Sequence, residues 1–357
     1  MERADREIPK ERSFPTSAGA KKAYEVIQAL QLRFKRGLEG LSSGESFEPI
    51  DWLRDQGRHG GGRRYARAGS PLFNRASINE SVVHYEDLQE KRLRSATALS
   101  TIIHPENPHM PSMHMHISWT ELRDGASYWR VMGDLNPSLP AGEYRDRFND
   151  LFQRLGGGHY ESGKEQGESY FYIPALGRHR GVSHFYLEGH RTESRSEDLR
   201  FARSFGEGVV DEYCRLFQEV LDRGEPVSAE ERRRQLEYHT VYFFQVLTLD
   251  RGTTSGILVH DQNDVGILAS LPARIAPALL KEWRDKVATP QEELLEGLLA
   301  LLPGGDELGA VELSDDLRAR LAKVVREHYK KHPEALHLQA SGGRIVPTVA
   351  NHLKGSD

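Results

Sequence analysis

Cys214 is the single cysteine of the chain, so no intrachain disulfide can form and a cysteine-built zinc centre is excluded. Its setting, Asp211-Glu212-Tyr213-Cys214-Arg215, reads as helix, where a lone thiol is inert packing. No apolar run is long enough to span a membrane, and the charged N-terminus carries no hydrophobic signal core. Basic excess is missing as well. The formal net charge is −5, which gives no broad cationic surface for nucleic acid. Nor is there a glycine fingerprint between strand and helix, a Walker sequence, a His-Glu-x-x-His pair or an internal repeat. What remains is a globular composition, 38% hydrophobic and 28% charged, in a chain long enough for one large core or two ordinary ones. The expected setting is the cytoplasm, with no nucleic-acid partner and no membrane span.

Chemistry concentrates between Ser100 and Pro137. Met113, Met115, Ile117 and Trp119 alternate with His114, His116, Ser118 and Thr120. A strand sends successive side chains to opposite faces, so the two histidines project together while the apolar set packs into a core. Pro105, Pro108 and Pro111 stiffen the approach, and Gly133-Asp134-Leu135-Asn136-Pro137 follows a second strand over Tyr128–Met132. His104, His114, His116 and Asp134 are therefore expected to meet at one pocket. His114-x-His116 is also a fair metal-ligand pair, with His104 or His184 as a third donor, although no 2-His-carboxylate spacing completes it. Asp134 has a plainer alternative, capping the turn before Pro137.

Along the chain, residues 1–18 form a charged lead expected to be disordered, 19–289 a main domain and 290–357 a helical extension. Helices are expected over Lys21–Leu41, Tyr144–Leu155, Ser196–Arg223, Ala229–Glu237, Glu292–Leu302 and Ser314–His328. Strands are expected over Arg63–Ala66, Ser77–Tyr85, Thr97–Ile103, Tyr170–Ile173 and His184–Leu187. Tyr242–Leu249 reads as a further strand, and Gly256–His260 with Gly266–Leu271 as a hairpin turning at Asp261-Gln262-Asn263. Gly60-Gly61-Gly62 is either a flexible turn or a backbone that approaches a ligand closely. His239, His328, His332 and His337 are expected in solvent or at caps, and Arg232-Arg233-Arg234 on a solvated helix face. Strands joined by short turns and then long helices make the fold α+β, with an antiparallel sheet.

These residues together resemble the oxygen-dependent coproporphyrinogen III oxidases. The landmarks run in the family's order over about Leu41–Trp283: Gly60-Gly61-Gly62-Arg63, Ser81-Val82-Val83-His84, Ser100-Thr101-Ile102-Ile103-His104-Pro105, His114, Gly133-Asp134-Leu135-Asn136-Pro137, Tyr170-Phe171-Tyr172, Arg180-Gly181, Asp250-Arg251-Gly252 and Ala269-Ser270-Leu271-Pro272. The resemblance implies a large antiparallel β-sheet flanked by α-helices on both faces, assembled as a homodimer. It implies oxidative decarboxylation of two porphyrinogen propionates to vinyl groups, with molecular oxygen as co-substrate, no organic cofactor, and a divalent metal in some members. His114 matches the family's acid/base histidine, Asp134 the aspartate facing the pyrrole N–H groups, and Arg180 an arginine of the pocket. Ser100 and His104 match further pocket positions, the latter a metal ligand in some members.

The chain also departs from that pattern. Ser118 stands where the family strand carries an arginine, and His116 replaces an asparagine. Asp261, Gln262 and Asn263 occupy the place of a Gly-Gly-Arg hairpin turn, and Arg130-Val131-Met132 the place of a glycine run. A buried carboxylate without its cation costs roughly 3–5 kcal/mol, so a four-carboxylate substrate needs replacement arginines, for which Arg130, Arg178 and Arg251 are candidates. Two other function classes follow from the same residues. One is a non-catalytic tetrapyrrole-binding or partner protein of the same fold. The other is a metal-dependent oxygenase using the His-x-His strand, with His104 and His114 as ligands.

Overall fold

The alternation that marks Met113–Thr120 sets the plan of the molecule. In the computed structural model, which describes residues 11–306, 309–343 and 348–352, its apolar side goes into a core and its histidine side into a cavity. Helix α1 (Ala18–Glu39) starts at a Ser17 cap and precedes six strands in succession. These are β1 (Glu48–Leu53), β2 (Gly60–Ala68), β3 (Phe73–His84), β4 (Leu93–Pro105), β5 (Ser112–Leu122) and β6 (Ser127–Asn136). Helices α2 (Gly142–Gly156) and α3 (Tyr160–Phe171) follow. Next come the two-residue strands β7 (Tyr172–Ile173) and β8 (Arg178–His179), then β9 (Ser183–His190). Strands β1 to β6 each pair antiparallel with their chain neighbour and β9 joins at β6, giving a seven-stranded sheet. The α+β fold with a large antiparallel sheet is as expected.

Met113, Met115, Ile117 and Trp119 pack with the inward residues of α1, α2 and helix α4 (Arg195–Arg223) into the larger core cluster. Cys214 on α4 is held against Gly37 there, and burial pushes its thiol up to about 12, which keeps it inert. Gly133 belongs to this face too: a Cβ would lie 3.2 Å from Phe152. The glycine triplet is neither a flexible turn nor a ligand cradle. It opens β2 between β1 and β3, where Cβ atoms on Gly60 and Gly61 would fall 2.1 Å and 2.2 Å from the Val82 and Trp52 carbonyl oxygens.

The other face is covered by a second cluster, built mainly by α5 (Ala229–Thr248), α6 (Arg251–Val259), the single turn α7 (Asp264–Ile267), α8 (Pro277–Trp283), α9 (Gln291–Leu299) and α10 (Asp315–Lys331). The two-residue strands β10 (Arg274–Ile275) and β11 (Val311–Glu312) pair beside them, and α11 (Thr348–His352) lies nearby. Here three expectations are corrected. Tyr242–Leu249 is no strand but the end of α5, whose residues Tyr238–Thr248 are all buried; with no solvated side, its helical period was invisible and its aromatics mimicked a strand. The expected hairpin over Gly256–Leu271 is helical, because Asp250 caps α6 by accepting from the Thr253 N–H at 2.6 Å. Of Tyr170–Ile173, Tyr170 and Phe171 end α3, and only Tyr172 and Ile173 form the expected strand, β7.

His239 and His328 are buried rather than solvated, whereas Arg232, Arg233 and Arg234 are exposed as expected. Of the N-terminal lead, residues 1–10 lie outside the described residues, while Arg12 Nη1 donates to both oxygens of the buried Glu80 carboxylate at 2.8 Å and 3.1 Å. No helix among the described residues is long and apolar enough to cross a membrane.

Candidate active site

Between the sheet and the helical cover lies a cavity of about 280 Å3. Its floor is graded. Strands β3 and β4 present small side chains, Ser77, Asn79, Ser81, Ala96, Ala98 and Ser100, while β5 and β6 present His114, His116, Ser118, Arg130 and Met132. Helices α5 and α6 contribute Tyr242, Val246, Ser255 and Gly256 to its roof, together with Asn351 and His352 of α11. Asn351 and His352 lie within the stretch expected as a helical extension, 290–357.

His114 and Asp134 are direct cross-strand partners on β5 and β6, a geometry that brings side chains of one face close. His114 Nδ1 donates to Asp134 Oδ1 at 2.7 Å. The second oxygen, Oδ2, accepts from Arg180 Nη2 at 2.8 Å and Asn136 Nδ2 at 2.6 Å. Arg180 also donates to Gln245 Oε1 at 2.6 Å, and its guanidinium lies between the rings of Phe171 and Tyr242 at 4.5 Å and 4.8 Å. Burial opposes the charge on Asp134, but Arg180 and His114 outweigh it and hold the carboxyl far below the usual carboxylate range. The Arg180 pKa is raised, since Asp134 outweighs its own burial. Asp134 thus accepts three hydrogen bonds, is fully buried, and holds the His114 ring from behind. With Nδ1 committed to Asp134, Nε2 is the remaining ring nitrogen of His114, which lines the cavity.

His116 Nε2 pairs with Ser118 Oγ at 3.0 Å, and burial first, then Arg130 and His114, drives its pKa well below the usual histidine value. Ser100 lines the floor beside them. His104 leaves the constellation: Nε2 donates to the Ser270 carbonyl at 3.0 Å, Nδ1 accepts from Ser112 Oγ at 3.1 Å, and the ring is fully buried off the cavity. It has no free nitrogen for a metal. Among the described residues no three His, Cys, Asp or Glu side chains cluster as a metal site. Asp261, Gln262 and Asn263 also leave the cavity. They form the outer turn between α6 and α7, where Gln262 bonds Asp55 and Asn263 packs on Gly266. Arg178 lies on a separate surface groove, and Arg251 is spent on Glu188 at 2.9 Å.

Gln245, Tyr242, Asn136 and His352 are site residues that the sequence reading did not single out. A lone glutamine within Tyr242–Leu249 was the available signal, because a buried amide needs a specific partner.

The coproporphyrinogen III oxidase family matches residues 22–300, which contain the sheet, the His114–Asp134–Arg180 constellation and the α5–α6 roof. The chain is 27% identical over 307 residues to the oxygen-dependent coproporphyrinogen-III oxidase, mitochondrial, of Rattus norvegicus, covering 78% of this chain and 66% of the relative. The corresponding protein of Homo sapiens is 27% identical over 277 residues, covering 69% of this chain and 59% of the relative. The chain thus spans about two thirds or less of the length of these relatives. With the family matched over most of its length, the chain belongs to the coproporphyrinogen III oxidase family.

Proposed function

We propose that the protein is an oxygen-dependent oxidase that decarboxylates propionate side chains of coproporphyrinogen III or a related porphyrinogen, giving vinyl groups. The observation that carries this reading is His114, which lines the cavity with its Nδ1 fixed by a buried carboxylate and Nε2 as its remaining ring nitrogen. In the step proposed, a propionate –CH2–CH2–COO⁻, O2 and one proton give –CH=CH2, CO2 and H2O2. The two electrons leave the side chain's breaking C–H and C–COO⁻ bonds by way of the pyrrole, O2 accepts them, and His114 moves the proton at Nε2. The small side chains of β3 and β4 leave room for a macrocycle, and His116, Ser118 and Ser100 border it. The enclosed volume is at the lower edge of the roughly 300–1,000 Å3 typical of small-molecule sites, so a macrocycle enters with displacement of the roof.

No organic cofactor enters this reading. The alternative with His114 and His116 as ligands of an oxygenase metal is less well supported, because among the described residues no third His, Cys, Asp or Glu completes a ligand group with them. A cytoplasmic location is proposed on composition and is checked by fractionation. The test of function is anaerobic incubation with coproporphyrinogen III, oxygen addition and chromatography. Loss of one and then two carboxylates is expected. Intact substrate, with tight binding of the oxidised porphyrin, would instead favour a non-catalytic tetrapyrrole binder.

A further inference from the structure

Arg130 on β6 is the directly paired residue to Ser118 on β5 and lines the cavity. Among the described residues it makes no hydrogen bond and no ion pair, and its Nε is shut away from solvent without an acceptor. Its acidic neighbour Glu188 attracts it electrostatically but makes no hydrogen bond to it. Glu188 is its partner on β9, yet one Glu188 oxygen takes Arg251 at 2.9 Å while the other has no hydrogen-bond partner. The Tyr170 hydroxyl donates to Asp250 at 2.9 Å. An arginine is a planar fork of donors with no acceptor, and its natural complement is a carboxylate held by two parallel bonds. Position then limits what carries that carboxylate. Arg130 and Asp134 are four residues apart on one strand, so about 13 Å of backbone separates them on the same face at 3.3–3.4 Å per residue.

We propose that Arg130 is the anchor for a ligand carboxylate that does not react, held on the order of 10 Å from the His114–Asp134 centre. The assignment rests on the tetrapyrrole reading and makes it more specific. The ligand must carry at least two acidic arms on opposite sides of a rigid body, one at Arg130 and one at His114. A short mono- or dicarboxylic acid cannot span that distance.

The test uses the full chain and coproporphyrin III, an air-stable tetracarboxylate porphyrin, with binding followed by fluorescence. Arg130→Gln is expected to weaken binding about 10-fold or more, the usual consequence of losing a charge-assisted pair, and Arg130→Lys to recover part of it. Thermal unfolding without ligand supplies a second reading. If Arg130 waits for a ligand, Arg130→Gln leaves the melting temperature unchanged or raises it. If Arg130 is the structural counter-charge of Glu188, the substitution strands that acid and lowers the melting temperature, which overturns the proposal. Wild-type binding matched by Arg130→Gln overturns the anchor alone. A wild type that does not bind the porphyrin overturns the tetrapyrrole reading and the anchor with it.

Discussion

At the scale of single residues, the site works through side chains that hold other side chains. His114→Ala is expected to lower turnover roughly 10²–10⁴-fold, far more than it weakens porphyrin binding, measured by single-turnover kinetics against equilibrium binding. Asp134→Asn removes the charge that Arg180 faces in a dry setting and should destabilise the fold by about 3–5 kcal/mol, read from denaturant unfolding. The pH sign follows from the depressed Asp134 carboxyl. Its contribution is complete above the unfolded carboxylate value, roughly 3.9, and is lost only as pH falls through the lower folded value. The loss in Asp134→Asn should therefore be full at neutral pH and shrink in strong acid. An equal deficit at every pH would show that the carboxylate charge is not what matters.

At the scale of elements, the sheet was legible and the helical roof only partly so. Strands β3 to β6 declared themselves because one face is apolar and the other polar, and that alternation survives in the sequence of β5. Helix α5 did not, since burial on every side erases the period. His104 was misplaced for a related reason: spacing put it near His114, but only the fold shows both ring nitrogens spoken for. Burial of His239 on α5 has a measurable consequence. Its pKa is pushed from 6.5 to about 3, chiefly by desolvation. Between those values the unfolded chain takes up a proton that the folded one refuses, so stability falls on acidification below about pH 6.5, by at most about 1.4 kcal/mol per pH unit from this group. His239→Phe should flatten the unfolding-versus-pH curve between pH 6 and 4, and an unchanged curve would assign the acid sensitivity elsewhere.

At the scale of the whole molecule, α9 and α10 share one core with α5 and α6. Removing residues 289–357 should therefore abolish cooperative unfolding and porphyrin binding together, measured by calorimetry and fluorescence; a folded, binding-competent truncate would show that stretch to be an appendage after all. We also propose a homodimer, and sedimentation at micromolar concentration should give twice the chain mass. The sheet under the cavity packs its opposite face into one hydrophobic cluster, while most of the roof belongs to another that reaches the sheet at Ile102, with polar ties between the layers such as Arg180 to Gln245, Tyr170 to Asp250, Arg251 to Glu188 and Asn74 to Ala273. Layers joined this way can separate without either one unfolding. Amide hydrogen exchange should then resolve two cooperative units of different protection, α6 to α11 opening at lower free energy than β3 to β6. A bound macrocycle, touching both, would couple them and slow exchange in the roof more than in the floor.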